Sequence, residues 1–92
     1  MIKTWKHKGL KLFFETGSTA KIQAKHKESL REILFQLEHA TSPQDMHTPG
    51  NDFHMLVGNR KGQYSVSVSS NWRVVFAFDG EDAILVDYLD YH

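Results

Sequence analysis

Two residues near the end of this 92-residue chain carry side chains suited to one chemistry: Arg73, just inside a strand-like run at residues 72–78, and His92, the final residue. A guanidinium stays charged at any working pH, and its planar fork bonds two oxygens at once, so an arginine fixed on a sheet can hold a phosphate. A histidine, with an ordinary pKa of about 6.5, moves a proton near neutrality. Together they outline a phosphodiester-cleaving site. Each has a plainer alternative. Arg73 could pair with Asp87 or Asp90 across the sheet, and a terminal histidine is by default a frayed end. Tyr88 and Tyr91 in the closing run offer a means of docking that end against the sheet.

Other chemistries find little support. The chain has no cysteine, which excludes disulfides, thiolate metal sites and cysteine nucleophiles. Its six histidines, His7, His26, His39, His47, His54 and His92, include no i,i+4 pair, so no metal is expected. The turn at residues 58–62 lacks the glycine spacing and following helix of a phosphate-binding loop. Choosing a nucleophile among Ser65, Ser67, Ser69 and Ser70 has no basis without a nucleophile elbow.

Composition sets the frame that must position Arg73 and His92. At this length one domain with a single modest core is expected. Hydrophobic residues at 40% and charged residues at 24% are ordinary globular usage. No apolar run approaches a membrane span, and the lysine-dotted residues 1–11 lack the apolar stretch of a signal peptide, so the expectation is a soluble, cytoplasmic protein without a membrane partner. Eleven basic and eleven acidic residues cancel, which argues against an indiscriminate polyanion binder. The charges are unevenly placed, however. Residues 1–31 hold eight lysines and arginines against two acids, whereas residues 80–92 hold four acids and no lysine or arginine. A local basic face and scattered surface lysines are both compatible with that distribution.

The elements follow from periodicity. Residues 2–7 alternate and suit a short opening strand. Leu10, Phe13 and Phe14 sit at helical spacing, with Gly17 as the C-terminal stop. Leu30, Ile33, Leu34 and Leu37 occupy i, i+3, i+4 and i+7 of a second amphipathic helix that Ser42-Pro43 closes. Residues 41–52 read as loop, with one helical turn near residues 44–47. The pattern then changes to period two: short strands at 53–57, 63–69, 72–78 and 84–88, joined by turns at 58–62, Ser70-Asn71 and Asp79-Gly80. Two N-terminal helices on one face of a small antiparallel, mixed-edge sheet make an α+β domain. The expected core is Trp5, Leu10, Phe13, Phe14, Leu30, Ile33, Leu34 and Leu37 against Tyr64, Val66, Val68, Trp72, Val74, Phe76, Ile84 and Val86. The polar face of strand 63–69, together with Arg73, is left for solvent or a ligand.

Three segments carry a family likeness: IKTWKHKGLKLFFETG at the start, LVGNRKGQYSVSVSSNWRVVF, and the ending VDYLDYH. With their Gly-Asn-Arg-x-Gly turn, Asn-Trp-Arg hairpin and terminal Asp-Tyr-His, they resemble the HigB-type toxins of the RelE superfamily over nearly the whole chain. The resemblance implies a RelE-like fold and a ribosome-dependent mRNA endonuclease, without a cofactor. The implied partners are the ribosome, mRNA and a helix-turn-helix antitoxin of the HigA type, with operator DNA reached only through the antitoxin. Arg73 matches the arginine assigned to the scissile phosphate, and His92 the terminal histidine of the active site. Asp90 and Tyr91 support or flank that site, and His54 stands where the family often has a histidine lining it. Lys8, Lys11, Arg60 and Lys61 would hold RNA through phosphate contacts.

Metal-free RNA cleavage explains why these residue types fit. The nucleotide's own 2′-hydroxyl attacks the adjacent phosphate. The protein helps remove a proton, stabilises charge on phosphorus and protonates the departing oxygen. Proton transfer of this kind gives roughly 10²–10⁴-fold, and charge stabilisation depends on preorganised donors. One position departs from the family pattern: Val57 stands where the best-known members carry a lysine, leaving Arg60 or Lys61 as the nearest basic charge. That departure and the zero net charge point to an alternative, a weakened toxin acting mainly as an antitoxin-binding partner in operon autoregulation.

Overall fold

The computed structural model describes residues 1–90. Helix α1 spans Lys8–Thr16. It opens on His7, whose Nδ1 accepts the Leu10 N–H at 2.9 Å and so satisfies one of the first-turn donors a helix leaves unpaired. It closes on Gly17 at φ 80°, a left-handed backbone that glycine adopts without a Cβ clash, and the Gly17 N–H returns to Phe13 O. Leu10 and Phe13 are buried. Phe14, expected in the core, is instead 39% exposed and leans on the Trp5 ring at a centroid distance of 5.4 Å. Consecutive helix residues lie about 100° apart, and here Leu10 and Phe13 take the centre of the buried stripe while Phe14 falls at its edge.

Helix α2 spans Lys27–His39 and buries Leu30, Leu34 and Leu37, as the period of its apolar residues requires. A short 3₁₀ turn at Pro43–Met46 follows, where the Asp45 carboxylate accepts the backbone N–H groups of Thr41 and Ser42. This is the helical turn expected near residues 44–47, and it buries Met46.

The sheet contains β1 (His54–Met55), β2 (Tyr64–Ser69), β3 (Trp72–Asp79) and β4 (Asp82–Asp90), ordered β1-β2-β3-β4 and antiparallel throughout. The strand expected at residues 53–57 shortens to His54–Met55, because the chain turns into a 3₁₀ segment at Gly58–Arg60. Residues 2–7 form no strand either. They touch β4 through two isolated parallel bridges, Ile2↔Ala83 and Trp5↔Val86, so the β4 edge is mixed. A bulge in β4, between the two residues that these bridges reach, shifts the core. The β3–β4 register slips between Val75 and Ala77, and Leu85 sits at φ 56°. Ala83 and Val86, three residues apart, therefore both point inward, and Ile84, expected in the core, is only half-buried.

The two helices and the 3₁₀ turn cover one sheet face, joining Leu10, Leu30, Leu34, Leu37 and Met46 to Val66, Val74, Phe76 and Val86. The opposite face is less open than period two implies. Ser65 and Val75 are fully buried, and Arg73 is 7% exposed.

Candidate active site

Arg73 lies on the inner strand β3, opposite Ser67 of β2 and Leu89 of β4. Alternation along β3 sends it to the face away from the helices, beside Ser65 and the segment leading into β1. All three guanidinium nitrogens donate. Nε bonds Ser65 Oγ at 2.9 Å, Nη1 bonds Asp52 Oδ2 at 2.9 Å, and Nη2 bonds the Asp52 carbonyl oxygen. Among the described residues, the carboxylate bonded to Arg73 is that of Asp52, where the sequence suggested Asp87 or Asp90. The hydrogen bond and charge of Arg73 hold the Asp52 carboxyl below its ordinary pKa, with a smaller contribution from His54.

His54 stands at the start of β1, paired with Ser65 in register. Its ring is about half exposed; Nδ1 lies 3.2 Å from the Asp52 carbonyl oxygen and 3.9 Å from Asp52 Oδ1. The first is a hydrogen bond and the second an ion-pair distance. Asp52 therefore bridges Arg73 and His54. It does so from an unusual backbone, at φ 50°, a left-handed conformation that aspartate tolerates better than most residues. Neither Asp52 nor Ser65 was singled out by the sequence. Asp52 sits in a loop and meets Arg73 across 21 positions, a separation that no local pattern reports.

The remaining expected residues are distributed more widely. Asp90 ends β4 opposite Trp72, which places it on the helix side of the strand, whereas Arg73 faces the other way. Tyr91 and His92 lie outside the described residues. Arg60 is half-buried, and its Nη1 is enclosed without a hydrogen-bond partner among the described residues; Lys61 is exposed. Lys8 and Lys11 line an open groove at the start of α1 with Lys3, Trp5 and Glu15, so Lys3 joins the pair that the sequence named. Val57 is 85% exposed.

A model of HigB-like toxins, described as RelE-like toxins of type II toxin–antitoxin system HigB, matches residues 3–92. The chain belongs to this toxin family. It is also 39% identical to "Endoribonuclease HigB" of Proteus vulgaris over 92 residues, covering the whole of both chains. A likeness that runs end to end covers the Arg73 strand, the Asp52–His54 segment and the terminal Asp-Tyr-His together. Within this HigB-like chain the described part of the site is a cationic centre, Arg73, bonded through Asp52 to an imidazole that reaches solvent.

Proposed function

We propose that this chain is an endoribonuclease that cleaves ribosome-bound mRNA, as the toxin of a type II pair that a helix-turn-helix antitoxin neutralises. The observation that carries the reading is the full-length match to a relative named for endoribonuclease activity, joined to an arginine and a histidine tied to one aspartate on one sheet face. Cleavage needs no metal. The 2′-oxygen forms a bond to phosphorus, the bond from phosphorus to the 5′-oxygen breaks, a base takes the 2′-proton, and an acid supplies one to the 5′-oxygen.

Arg73 stabilises the charge that gathers on the phosphate. Three of its five N–H groups are committed to Ser65 and Asp52, which leaves one on each terminal nitrogen without a partner among the described residues. A cation fixed in this way needs no rearrangement as charge develops. His92 serves in proton transfer, with Asp90 and Tyr91 supporting it. Arg60, half-buried in the turn at Gly58–Arg60, meets RNA phosphate near Val57, where the family pattern has a lysine. Lys61, and the Lys8 and Lys11 groove at some distance in sequence, add phosphate contacts that salt would weaken.

A second reading, a weakened toxin retained for antitoxin binding, is favoured by Val57 and by the burial of Arg73 under Asp52. Induction of the chain alone separates the two. The endoribonuclease reading expects growth arrest with new mRNA 5′ ends, and relief of both in Arg73→Ala at unchanged protein level. Arrest that persists in that variant removes Arg73 from the mechanism. Absence of arrest and of new ends in the unaltered chain favours the second reading.

A further inference from the structure

The Asp52 carboxylate and carbonyl oxygen both face Arg73 and His54. Its carboxylate Oδ2 takes Arg73 Nη1, its Oδ1 faces His54 Nδ1 at 3.9 Å, and its carbonyl oxygen accepts from both Arg73 Nη2 and His54 Nδ1. A carbonyl oxygen can only accept. The hydrogen on the His54 contact must therefore sit on Nδ1, which leaves Nε2 of the neutral ring as an unprotonated lone pair. No hydrogen bond reaches that nitrogen among the described residues, and the ring is half exposed. The left-handed backbone at Asp52 aims its carbonyl at the two donors and persists because Arg73 grips the residue at two points.

We propose that Asp52 is a positioning residue of this site: anchored by Arg73, it locks His54 with Nδ1 protonated and Nε2 open, so that His54 enters RNA cleavage as the base. This rests on the endoribonuclease reading above. The 2′-hydroxyl proton passes to His54 Nε2 as the 2′-oxygen bonds phosphorus. The resulting imidazolium keeps its Nδ1–H on the Asp52 carbonyl oxygen. The 5′-oxygen leaves with a proton from His92. Asp52 itself touches no reacting atom. Arg73 acquires a second task beyond charge stabilisation, since it holds the aspartate that orients the base.

The test pairs a spectroscopic readout with a kinetic one. Long-range ¹H–¹⁵N correlation on the intact chain at pH 8 is expected to show His54 with its proton on Nδ1, and Asp52→Ala to shift it towards the Nε2-protonated form. In single-turnover cleavage of mRNA on ribosomes, Asp52→Ala is expected to fall by about tenfold or more, within the range that proton-transfer assistance supplies. Asp52→Asn, which tolerates the left-handed backbone and still accepts from Arg73, is expected to keep both the tautomer and most of the rate. Asn therefore guards against a loss that reflects folding alone. An Nε2-protonated His54 in the unaltered chain, or Asp52→Ala cleaving at the unaltered rate, overturns the proposal. If the unaltered chain shows the Nδ1 tautomer yet cuts no RNA, the lock stands and the endoribonuclease reading falls.

Discussion

Arg73 illustrates what a residue's type announces and what it conceals. Its type and strand position pointed to an anion, and the structure supplies one from within the chain, the Asp52 carboxylate. That partner was illegible because it lies in a loop 21 positions away, whereas the sequence offered Asp87 and Asp90 on the neighbouring strand. Register decided the matter: Arg73 stands opposite Leu89, so Asp87 is displaced along β4 and Asp90 faces the other side. Val57 belongs to the same scale. It is 85% exposed beside the turn that carries Arg60, so a longer polar side chain there buries nothing. Val57→Lys is expected to raise RNA cleavage up to about tenfold, the worth of one added charge-assisted phosphate contact. Its unfolding midpoint should stay where it was. End-mapped cleavage rates and a denaturation curve check the two halves of that expectation.

Among the elements, the helices were the more legible. Four apolar residues at helical spacing marked α2, and Gly17 marked the end of α1, because both signals are local. The sheet was harder. Its hairpins could be read from Ser70-Asn71 and Asp79-Gly80, but the bulge in β4 could not, since Leu85 is a poor candidate for φ 56°. Tertiary structure imposes it: one inserted residue lets Ala83 and Val86 both meet the core while the backbone bridges Ile2 and Trp5. This gives a prediction that runs against strand propensity. Leu85→Val introduces a better strand former, yet its branched Cβ crowds a left-handed backbone. It is expected to destabilise by on the order of 1 kcal/mol, read as a lower urea midpoint.

At the scale of the molecule, α1, α2 and the sheet meet around a small buried polar network that the proposed mechanism does not use. His26 is 2% exposed with Nδ1 2.6 Å from the Tyr88 hydroxyl, which also accepts the Gln23 N–H and packs against Trp72. Burial, helped by Lys25, holds His26 below its ordinary pKa of 6.5, so the folded ring resists taking up a proton. The sign of the linkage follows. Stability is intact above 6.5 and declines as pH falls below it, because the unfolded chain takes up a proton that folded His26 resists. A second loss comes lower, where Asp45, Asp52 and Glu28, all held below their ordinary values, are protonated. Urea midpoints at pH 7.5, 5.5 and 3.5 are expected to fall in two steps, and His26→Asn to flatten the first of them. The sequence by itself determined the two helices, the hairpins of the last three strands, the α+β class and the family likeness, because helical and strand periods, turn residues and motif spacing are written over a few consecutive positions. Only the tertiary structure decided that Arg73 is held by Asp52, that the same aspartate contacts His54, and that the second sheet face is closed around Ser65 and Val75. Those facts depend on register and on one bulge. A shift of a single residue in either would turn the same side chains to different neighbours.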